Sequence, residues 1–161
     1  MAQMIWVTIT GITQGEFKSD ITRKGFEGKI EVQAYSDGLT IPFSSDTGLP
    51  TGRRTHSPIN ITKNIDKTSP LLANAAFTNE NLSKVKFEFV RPVGTLGGTV
   101  GEKVFFTVEL INANIRSLHR SFTGESRTES VELSYEKIII TYVDGGIQAE
   151  DDWSTGYGNL G

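Results

Sequence analysis

Residues 131–153 read VELSYEKIIITYVDGGIQAEDDW and form the longest continuous strand pattern in the sequence. Val131, Leu133 and Tyr135 alternate with polar residues, a period of two that places the apolar side chains on one face of a β-strand. Three consecutive isoleucines follow, and a strand that is apolar at successive positions needs cover on both faces. Asp144-Gly145-Gly146 then ends the strand with turn residues. The pattern predicts a small barrel whose last strand has a second contact outside, made by a helix or a neighbouring subunit.

Length and composition narrow the possible classes. A chain of 161 residues is expected to form one domain with a core large enough to be stable without cross-links. It has no cysteine, which excludes disulfides and thiolate metal sites. The net charge of -3 gives no electrostatic reason to expect nucleic-acid binding. No apolar run approaches the roughly 20 residues of a membrane span, so no membrane insertion is expected, and the start lacks the basic region of a cleaved signal peptide.

Alternating apolar residues predict five further strands, over residues 4–10, 27–35, 57–65, 82–91 and 103–115. Thr68, Ser69 and Pro70 predict the start of a helix that continues to about Phe77, because Ser and Thr favour the N-cap and Pro the first turn. We therefore predict a mainly β fold, a single small β-barrel of antiparallel sheets with one short flanking α-helix and a long extended loop. The barrel domain is expected to span residues 1–153, followed by a flexible C-terminal tail at 154–161.

Several connections are predicted from turn residues and polarity. Ser36-Asp37-Gly38 is expected to end the second strand, and residues 11–26 and 116–128 are expected to be polar connections. Residues 94–101 are rich in glycine, and a hairpin turn explains them better than a phosphate-binding loop because a strand follows. The apolar positions change parity after Leu110, which predicts a bulge or bend there.

Residues 39–55 form the longest irregular stretch. Loops longer than about 12–15 residues are uncommon unless they are functional or disordered. This one contains Leu39, Ile41, Phe43 and Leu49, which argue against a purely solvated linker. We predict an extended arm that packs on something outside its own barrel, and a mobile surface loop is the alternative that the residues leave open.

No group of residues supports catalysis, a metal or a cofactor. The two histidines, His56 and His119, are not at ligand-like spacing, and no nucleophile motif of the Gly-x-Ser-x-Gly type is present. His56 is expected to be a structural or interface histidine. The acidic residues near the C-terminus lack the spacing of a calcium loop and are expected to form a solvated or ion-paired turn.

Several short motifs follow one another along most of the chain. They are residues 48–51, Arg54-x-His56-x-Pro58, Lys63-x-Ile65-Asp66-x-x-Ser69-Pro70, Leu133-x-Tyr135-Glu136-Lys137-Ile138, Thr141-Tyr142-x-Asp144-Gly145 and Asp151-Asp152-Trp153. Taken together, the sequence resembles the haemolysin-coregulated protein (Hcp) family, the tube protein of the bacterial type VI secretion system.

The resemblance implies a structural protein and not an enzyme. It implies a compact barrel that assembles as a homohexameric ring, with rings stacked into a tube related to phage tail tubes. The expected partners are further copies of the chain, the sheath, spike and baseplate proteins of the machine, and small effectors carried in the lumen. The protein would lie in the bacterial cytoplasm before firing and then be secreted without a cleaved signal peptide.

Within such a tube, sheet edges need cover from neighbours, and a closed ring needs heterologous contacts. We expect residues of the arm and of the family-like motifs at subunit or ring contacts, namely Leu39, Ile41, Phe43, Arg54, His56, Lys63, Asp66, Glu136 and Lys137. A local surface ion pair, worth about 0–1 kcal/mol, is the alternative for each charged one. Through the strand-end pattern Val32-x-Ala34-Tyr35-Ser36-x-Gly38, the resemblance implies that Ser36 contacts effectors in the lumen.

Three other functions stay open at this point. A phage-tail-like tube subunit would share the ring architecture. A monomeric barrel could bind a small ligand or glycan, with Trp6, Tyr35 or Trp153 in a groove. A hydrolase could use Asp66 or Glu136 as an acid or base, although no two carboxylates are clearly paired for it.

Overall fold

The structure is a computed structural model that describes residues 4–96 and 99–152. Its elements, in chain order, are β1 (Met4–Gly11), β2 (Gly15–Glu16), β3 (Ile30–Val32), β4 (Ala34–Thr40), β5 (Thr55–Asn64), α1 (Ser69–Thr78), β6 (Leu82–Leu96), β7 (Thr99–Thr123), β8 (Ser126–Tyr142) and β9 (Ile147–Asp152). The mainly β fold with one short helix is confirmed. Trp153 and the predicted tail at 154–161 lie outside the described residues.

All strand pairs are antiparallel, in the order β2-β1-β6-β7-β8-β5-β4. Two strands lie off this path, because β3 pairs with β1 and β9 pairs with β8. Gln33 separates β3 from β4, and its N–H donates to the carbonyl of Thr62 at 2.7 Å. Residues 30–40 therefore span the opening between β1 and β5, one half on each side. No described strand pairs with both β1 and β5, so "barrel" describes this sheet only loosely.

The sheet turns a corner at one level of its three longest strands. Along β7, the core-facing residues occupy every second position up to Leu110, and from Ala113 the other set of alternate positions faces the core. The core-facing set changes in the same way on β6 between positions 82 and 85 and on β8 between positions 135 and 138, which pair with this part of β7. Asn112 lies at this level with a left-handed φ of 54°. The pairing register continues through the corner, so the strands change face together. The bend predicted near Leu110 is thus present, centred two residues further on.

The core lies between the faces of the curved sheet and against α1. The predicted inward residues of two strands, Ile59 and Ile61 on β5 and Val85 and Phe87 on β6, are fully buried. From α1 the core receives Leu72 and Ala75. Within the described ranges no helix has the length and apolarity needed to cross a membrane.

The helix begins as predicted but is capped differently. Thr68 takes the N-cap position without a capping hydrogen bond from its side chain, and its hydroxyl donates to Asp66 instead. Pro70 lies in the first turn, where the missing N–H costs no helical bond. At the other end Asn79 has a left-handed φ of 53° and its N–H donates to Ala76. The start of α1 is therefore held by Asp66 and by the neighbours described below.

The prediction that Ser36-Asp37-Gly38 ends a strand was wrong. β4 runs through these residues to Thr40, with a shift in its pairing to β5 between Ser36 and Gly38. A bulge accommodates turn-forming residues inside a strand. Ala34 continues the alternation of the buried Ile30 and Val32 in sequence, but it is exposed because the chain changes partners at Gln33.

The prediction of a polar connection over residues 116–128 was also wrong. β7 continues to Thr123 and β8 begins at Ser126, so this segment is the outer part of a long hairpin. Gly124 provides its turn with a φ of 57°. The segment is polar because most of its residues are exposed on the hairpin. In the predicted glycine-rich turn over residues 94–101, β6 continues to Leu96 and β7 begins at Thr99, and residues 97 and 98 lie outside the described residues.

Candidate functional site

The predicted arm, here residues 41–54, leaves the sheet between β4 and β5. A single β-bridge joins Phe43 to Pro50, and the N–H of Ser44 donates to the carbonyl of Leu49 at 2.8 Å. These bonds fold the arm back on itself as a narrow loop. The arm is therefore an ordered projection that is held mainly by its own backbone.

The apolar residues of the arm and its base face solvent. The exposed fractions are 51% for Leu39, 48% for Ile41, 67% for Phe43 and 63% for Leu49. Isolated exposed apolar residues are normal on protein surfaces, whereas a cluster on one projection marks a contact surface. As the sequence predicts, the arm does not bury these side chains on its own barrel.

The base of the arm is tied to β9 by ion pairs. The guanidinium of Arg54 donates from Nε and Nη2 to the two oxygens of Asp151, both at 2.6 Å. Nε2 of His56 lies 2.6 Å from the same carboxylate, and its Nδ1 lies 2.7 Å from the hydroxyl of Tyr135. The hydrogen bond with Asp151 raises the pKa of Arg54. Arg54 and His56, which belong to one predicted motif, therefore both contact the carboxylate of Asp151, which belongs to another.

Two phenols complete this cluster. Burial raises the pKa of Tyr135, and the charges of Asp37 and Asp151 raise it further. Burial also raises the pKa of Tyr35, together with its 2.7 Å hydrogen bond to Asp37. Both phenols therefore stay protonated at neutral pH, and Tyr35 donates its hydrogen bond to Asp37. His56 of β5 contacts Tyr135 of β8 through one ring nitrogen and Asp151 of β9 through the other, so it links the three strands.

A crevice of about 390 Å³ opens beside this cluster, between the β4–β5 hairpin and the β8–β9 hairpin. Its apolar side is formed by Leu39, Ile138, Ile140 and Ala149. Ile138 is buried but Ile140 is only partly so, and the doubly covered end predicted for this strand is thus incomplete within one copy. Leu39 and Arg54 both line the crevice, so it lies next to the base of the arm.

Lys63 does not reach the surface, contrary to its expected role in a subunit contact. Its side chain is fully buried, and Nζ lies 2.8 Å from Oε2 of Glu129, which is also fully buried. Nζ also donates to Asp66 at 3.2 Å, and the hydroxyl of Ser69 donates to Glu129 at 2.7 Å. The Lys63-x-Ile65-Asp66-x-x-Ser69 motif therefore holds the start of α1 against β5 and β8.

Asp66 belongs to the same network. Its Oδ1 accepts the N–H of Thr68 at 2.8 Å, and its own N–H donates to the hydroxyl of Ser69 at 3.1 Å. Its side chain is 27% exposed. These hydrogen bonds within one chain give Asp66 a structural role, and neither an interface nor a catalytic role is needed to explain its place in the motif.

The remaining predicted residues lie on the surface. Glu136 accepts a hydrogen bond from Asn112 at 3.1 Å, and Lys137 lies 3.5 Å from Glu150 across the β8–β9 pair. Ser36 is exposed at the bulge of β4. Their roles in subunit contact or in the lumen stay predictions.

The positions of the candidate residues argue against two alternatives, the ligand-binding barrel and the hydrolase. Trp6 is 2% exposed and stacks on Phe26 with ring centroids 4.9 Å apart, so it does not line a ligand groove. Among the described residues no three His, Asp or Glu side chains come together as a metal site would require. Asp66 and Glu136, the candidate carboxylates of a hydrolase, lie in separate local networks.

Sequence comparison places the chain in a family. A family sequence model described as "Type VI secretion system effector, Hcp" matches residues 6–142. The chain belongs to the Hcp family. The major exported protein of Pseudomonas aeruginosa is 32% identical over 169 residues, which cover 95% of this chain and 96% of that protein.

Solved Hcp structures share the fold over nearly the whole chain. Hcp1 from E. coli EAEC 042, solved as a variant with two introduced tryptophans, is 32% identical with a TM-score of 0.82. That match covers 94% of this chain and 99% of the Hcp1 chain. The secreted protein Hcp3 from Pseudomonas aeruginosa is 28% identical with a TM-score of 0.77, covering 94% of this chain and 99% of Hcp3. The match to Hcp thus includes the sheet, the helix and the arm together.

Proposed function

We propose that this chain is a tube subunit of a type VI secretion system, which assembles as a homohexameric ring that stacks into a tube. The observation that carries the proposal is the Hcp match in both sequence and structure, over residues 6–142 and over 94% of the chain respectively. The match also covers 99% of the Hcp1 chain. A structural role also fits the absence of a catalytic constellation in the sequence.

The sheet edges support assembly on physical grounds. In the described part of the chain, β4 pairs with β5 alone and β9 pairs with β8 alone. Each strand therefore presents one row of N–H and C=O groups without a strand partner. Such edges invite uncontrolled association unless they are covered. A closed ring covers them with the next subunit, because heterologous contacts that close on themselves leave no free end.

The arm supports the same assembly. Leu39, Ile41 and Phe43 are exposed in one copy and would be covered by a neighbour. Arg54 and His56 fix the direction in which the arm leaves the sheet through their bonds to Asp151. We assign the arm, its base and the adjacent surface pair Glu136 and Lys137 to subunit contacts. Lys63 and Asp66 are assigned to the interior network around Glu129 and not to a subunit contact.

The route of the protein follows from the same proposal. A relative that is 32% identical is named as a major exported protein. We expect this chain to wait in the bacterial cytoplasm and to be released without a cleaved signal peptide. Its partners would be the sheath, spike and baseplate proteins, and small effectors would bind in the lumen, where Ser36 is our candidate contact. No cofactor and no enzymatic activity are part of the proposal.

The deciding experiment is negative-stain electron microscopy of the purified protein, with the mass in solution measured on the same sample. Six-fold rings with an open centre and a mass of six chains of 17.7 kDa are expected. A monodisperse monomer at every concentration would contradict the proposal. That outcome would direct attention to the crevice beside Arg54, whose size falls in the range of small-molecule sites.

A further inference from the structure

We propose that the outer end of the β7–β8 hairpin, residues 116–128 and here called the hairpin tip, is the docking surface for the arm of a second copy in the next ring. The inference rests on the proposed tube function and names the two surfaces that would join successive rings. It comes from three features of one copy: unpaired arginines at the hairpin tip, a complementary arm and the separation of the two.

The hairpin tip combines an aromatic ring with positive charge on one face. Phe122 is 68% exposed, and Arg127 lies directly opposite it across the strand pair. Arg120 precedes Phe122 by two residues and therefore shares its face. An exposed ring between two guanidinium groups is the composition of an interface centre, where aromatic residues and arginine are enriched.

The arginines of the hairpin tip differ from three arginines elsewhere in the chain. Arg23, Arg54 and Arg91 each have a carboxylate within ion-pair distance. Within the residues that the structure describes, Arg116, Arg120 and Arg127 have none. A guanidinium group favours a carboxylate that it can bind with two donors, so this surface fits a partner that is acidic and apolar together.

The arm offers that composition at its far end. Asp46 is the one acidic residue in the sequence of residues 41–54. Its carboxylate has no ion-pair partner in the described part of the chain, and Phe43 and Leu49 beside it are 67% and 63% exposed. The arm has one acidic residue between two exposed apolar residues in sequence, which complements one exposed aromatic residue that shares a strand face with two arginines. The two surfaces match in both charge and polarity.

The arm and the hairpin tip lie at opposite ends of the molecule. β5 begins at Thr55, next to the arm, and ends at Asn64, which pairs with Thr128 beside the hairpin tip. A strand of ten residues spans roughly 30 Å, so the two surfaces of one copy are well separated. Contact between them is therefore between copies. It is heterologous and leaves one surface free at each end, which is the geometry of an open stack.

Disulfide trapping tests the contact directly, because the chain has no cysteine of its own. A variant with Thr47→Cys in the arm and Thr123→Cys in the hairpin tip should form disulfides that link rings into pairs and longer stacks. The mass under native conditions should then show particles of twelve chains or more, which a reducing agent returns to six. Particles that stay at six chains under oxidising conditions would show that these two surfaces do not join successive rings and would overturn the inference.

A matched control uses Thr47→Cys with Lys24→Cys. Lys24 is exposed and follows Arg23, whose partner Glu102 lies at the end of β7 remote from the hairpin tip. Head-to-tail stacking keeps this position away from the arm of the next ring, so no ring-linking disulfide is expected. Linkage of rings in this control and not in the Thr123→Cys variant would show that like ends meet, which overturns the proposal.

Charge reversal tests the chemistry of the contact. Asp46→Arg alone and Arg127→Glu alone should each reduce ring stacking about tenfold, because each places like charges together. Arg127 is preferred to Arg120, which lies opposite the buried Glu129 and would bring two carboxylates together after reversal. Mixing the two variants should restore stacking, since each arm then meets a hairpin tip of opposite charge. Lys24→Glu serves as the control and should stack like the unmodified chain.

The readouts separate the inference from the function on which it rests. Absence of rings from the unmodified chain would refute the proposed tube function. Rings that form and stack normally in both reversal variants would refute only the docking of the arm on the hairpin tip. A mixture that stacks no better than the separate variants would do the same.

Discussion

Lys63 of β5 and Glu129 of β8 form an ion pair of 2.8 Å in which neither side chain has any exposed surface. The two residues lie directly opposite each other in the pairing of the strands. Ser69, the first residue of α1, donates to the same carboxylate oxygen. One buried charge pair therefore joins two strands and a helix. Because each charge depends on the other for compensation, loss of one is costly.

Lys63→Met should destabilise the protein by about 3–5 kcal/mol, because it leaves the Glu129 carboxylate buried and without its cation. Equilibrium unfolding in urea, followed by the fluorescence of the buried Trp6, measures the change. The double variant Lys63→Met with Glu129→Met should recover much of the loss, since it removes both charges. A double variant as unstable as the single one would contradict this explanation.

Lys67→Met is the exposed control for that experiment. Lys67 lies 3.4 Å from Asp20, and the two side chains are 56% and 73% exposed. Exposed ion pairs contribute about 0–1 kcal/mol, so this substitution should leave the unfolding curve nearly unchanged. A loss comparable to that of Lys63→Met would mean that burial is not what makes the interior pair important.

Glu80 predicts an acid-dependent loss of stability. Burial alone would raise the pKa of Glu80, but the N–H groups of Gln14 and Thr13 and the side-chain amide of Gln14 bind the carboxylate and hold its pKa below the usual 4.5. A lowered folded pKa gives stability that is complete above the unfolded pKa. That stability is lost as the pH falls through the folded value.

Glu80→Gln should therefore lower stability by about 1–3 kcal/mol at neutral pH, where hydrogen bonds to the charged carboxylate are lost. The difference between the two proteins should begin to shrink as the pH falls below 4.5, where the carboxyl of the unfolded chain becomes protonated. It should be smallest below the lowered pKa of the folded protein, where the folded carboxyl is protonated as well. Urea unfolding at a series of pH values measures both curves. Parallel curves down to low pH would show that Glu80 does not cause the acid sensitivity.

Gly11 is expected to tolerate no side chain while Glu80 is in place. A Cβ at this position would lie 2.1 Å from Oε2 of Glu80, a carboxylate that is held by its hydrogen bonds and cannot easily move. Gly11→Ala should cost about 1–3 kcal/mol through this overlap. In a Glu80→Ala background the same substitution should cost much less, because the overlapping atoms are gone. Additive losses in this double-mutant cycle would refute the steric explanation.

The sequence predicts the elements that face the core. Alternation predicts the buried Ile59, Ile61, Val85 and Phe87, because a strand with one wet face must repeat every second residue. The same rule does not identify the strands of the hairpin tip. Most of its residues are exposed and few are apolar, so the alternation is lost and the pattern resembles that of a loop.

The sequence predicts the candidate site only in part. Arg54 and His56 are recognisable in the arm motif, but their shared partner Asp151 is 97 residues away from Arg54, and only the fold brings them together. Glu129 was missed as a partner of Lys63. It has the parity of Val131 and Leu133, so the alternation extended backwards places a carboxylate on the buried face. An acid at a core position needs a buried cation, which is the signal that could have identified the pair.

Arg54→Glu should weaken ring assembly while the protomer stays folded. The substitution removes both hydrogen bonds to Asp151 and places a second carboxylate beside it, which releases the base of the arm from β9. Arg54→Lys keeps the charge but loses the planar fork, so an intermediate effect is expected. Mass in solution measures assembly, circular dichroism checks the fold, and hydrogen exchange at Leu39 and at residues 41–54 measures release of the arm. Rings of unchanged stability in Arg54→Glu would exclude a role for this anchor in ring formation, whereas an unfolded protomer would make Arg54 a stability residue instead.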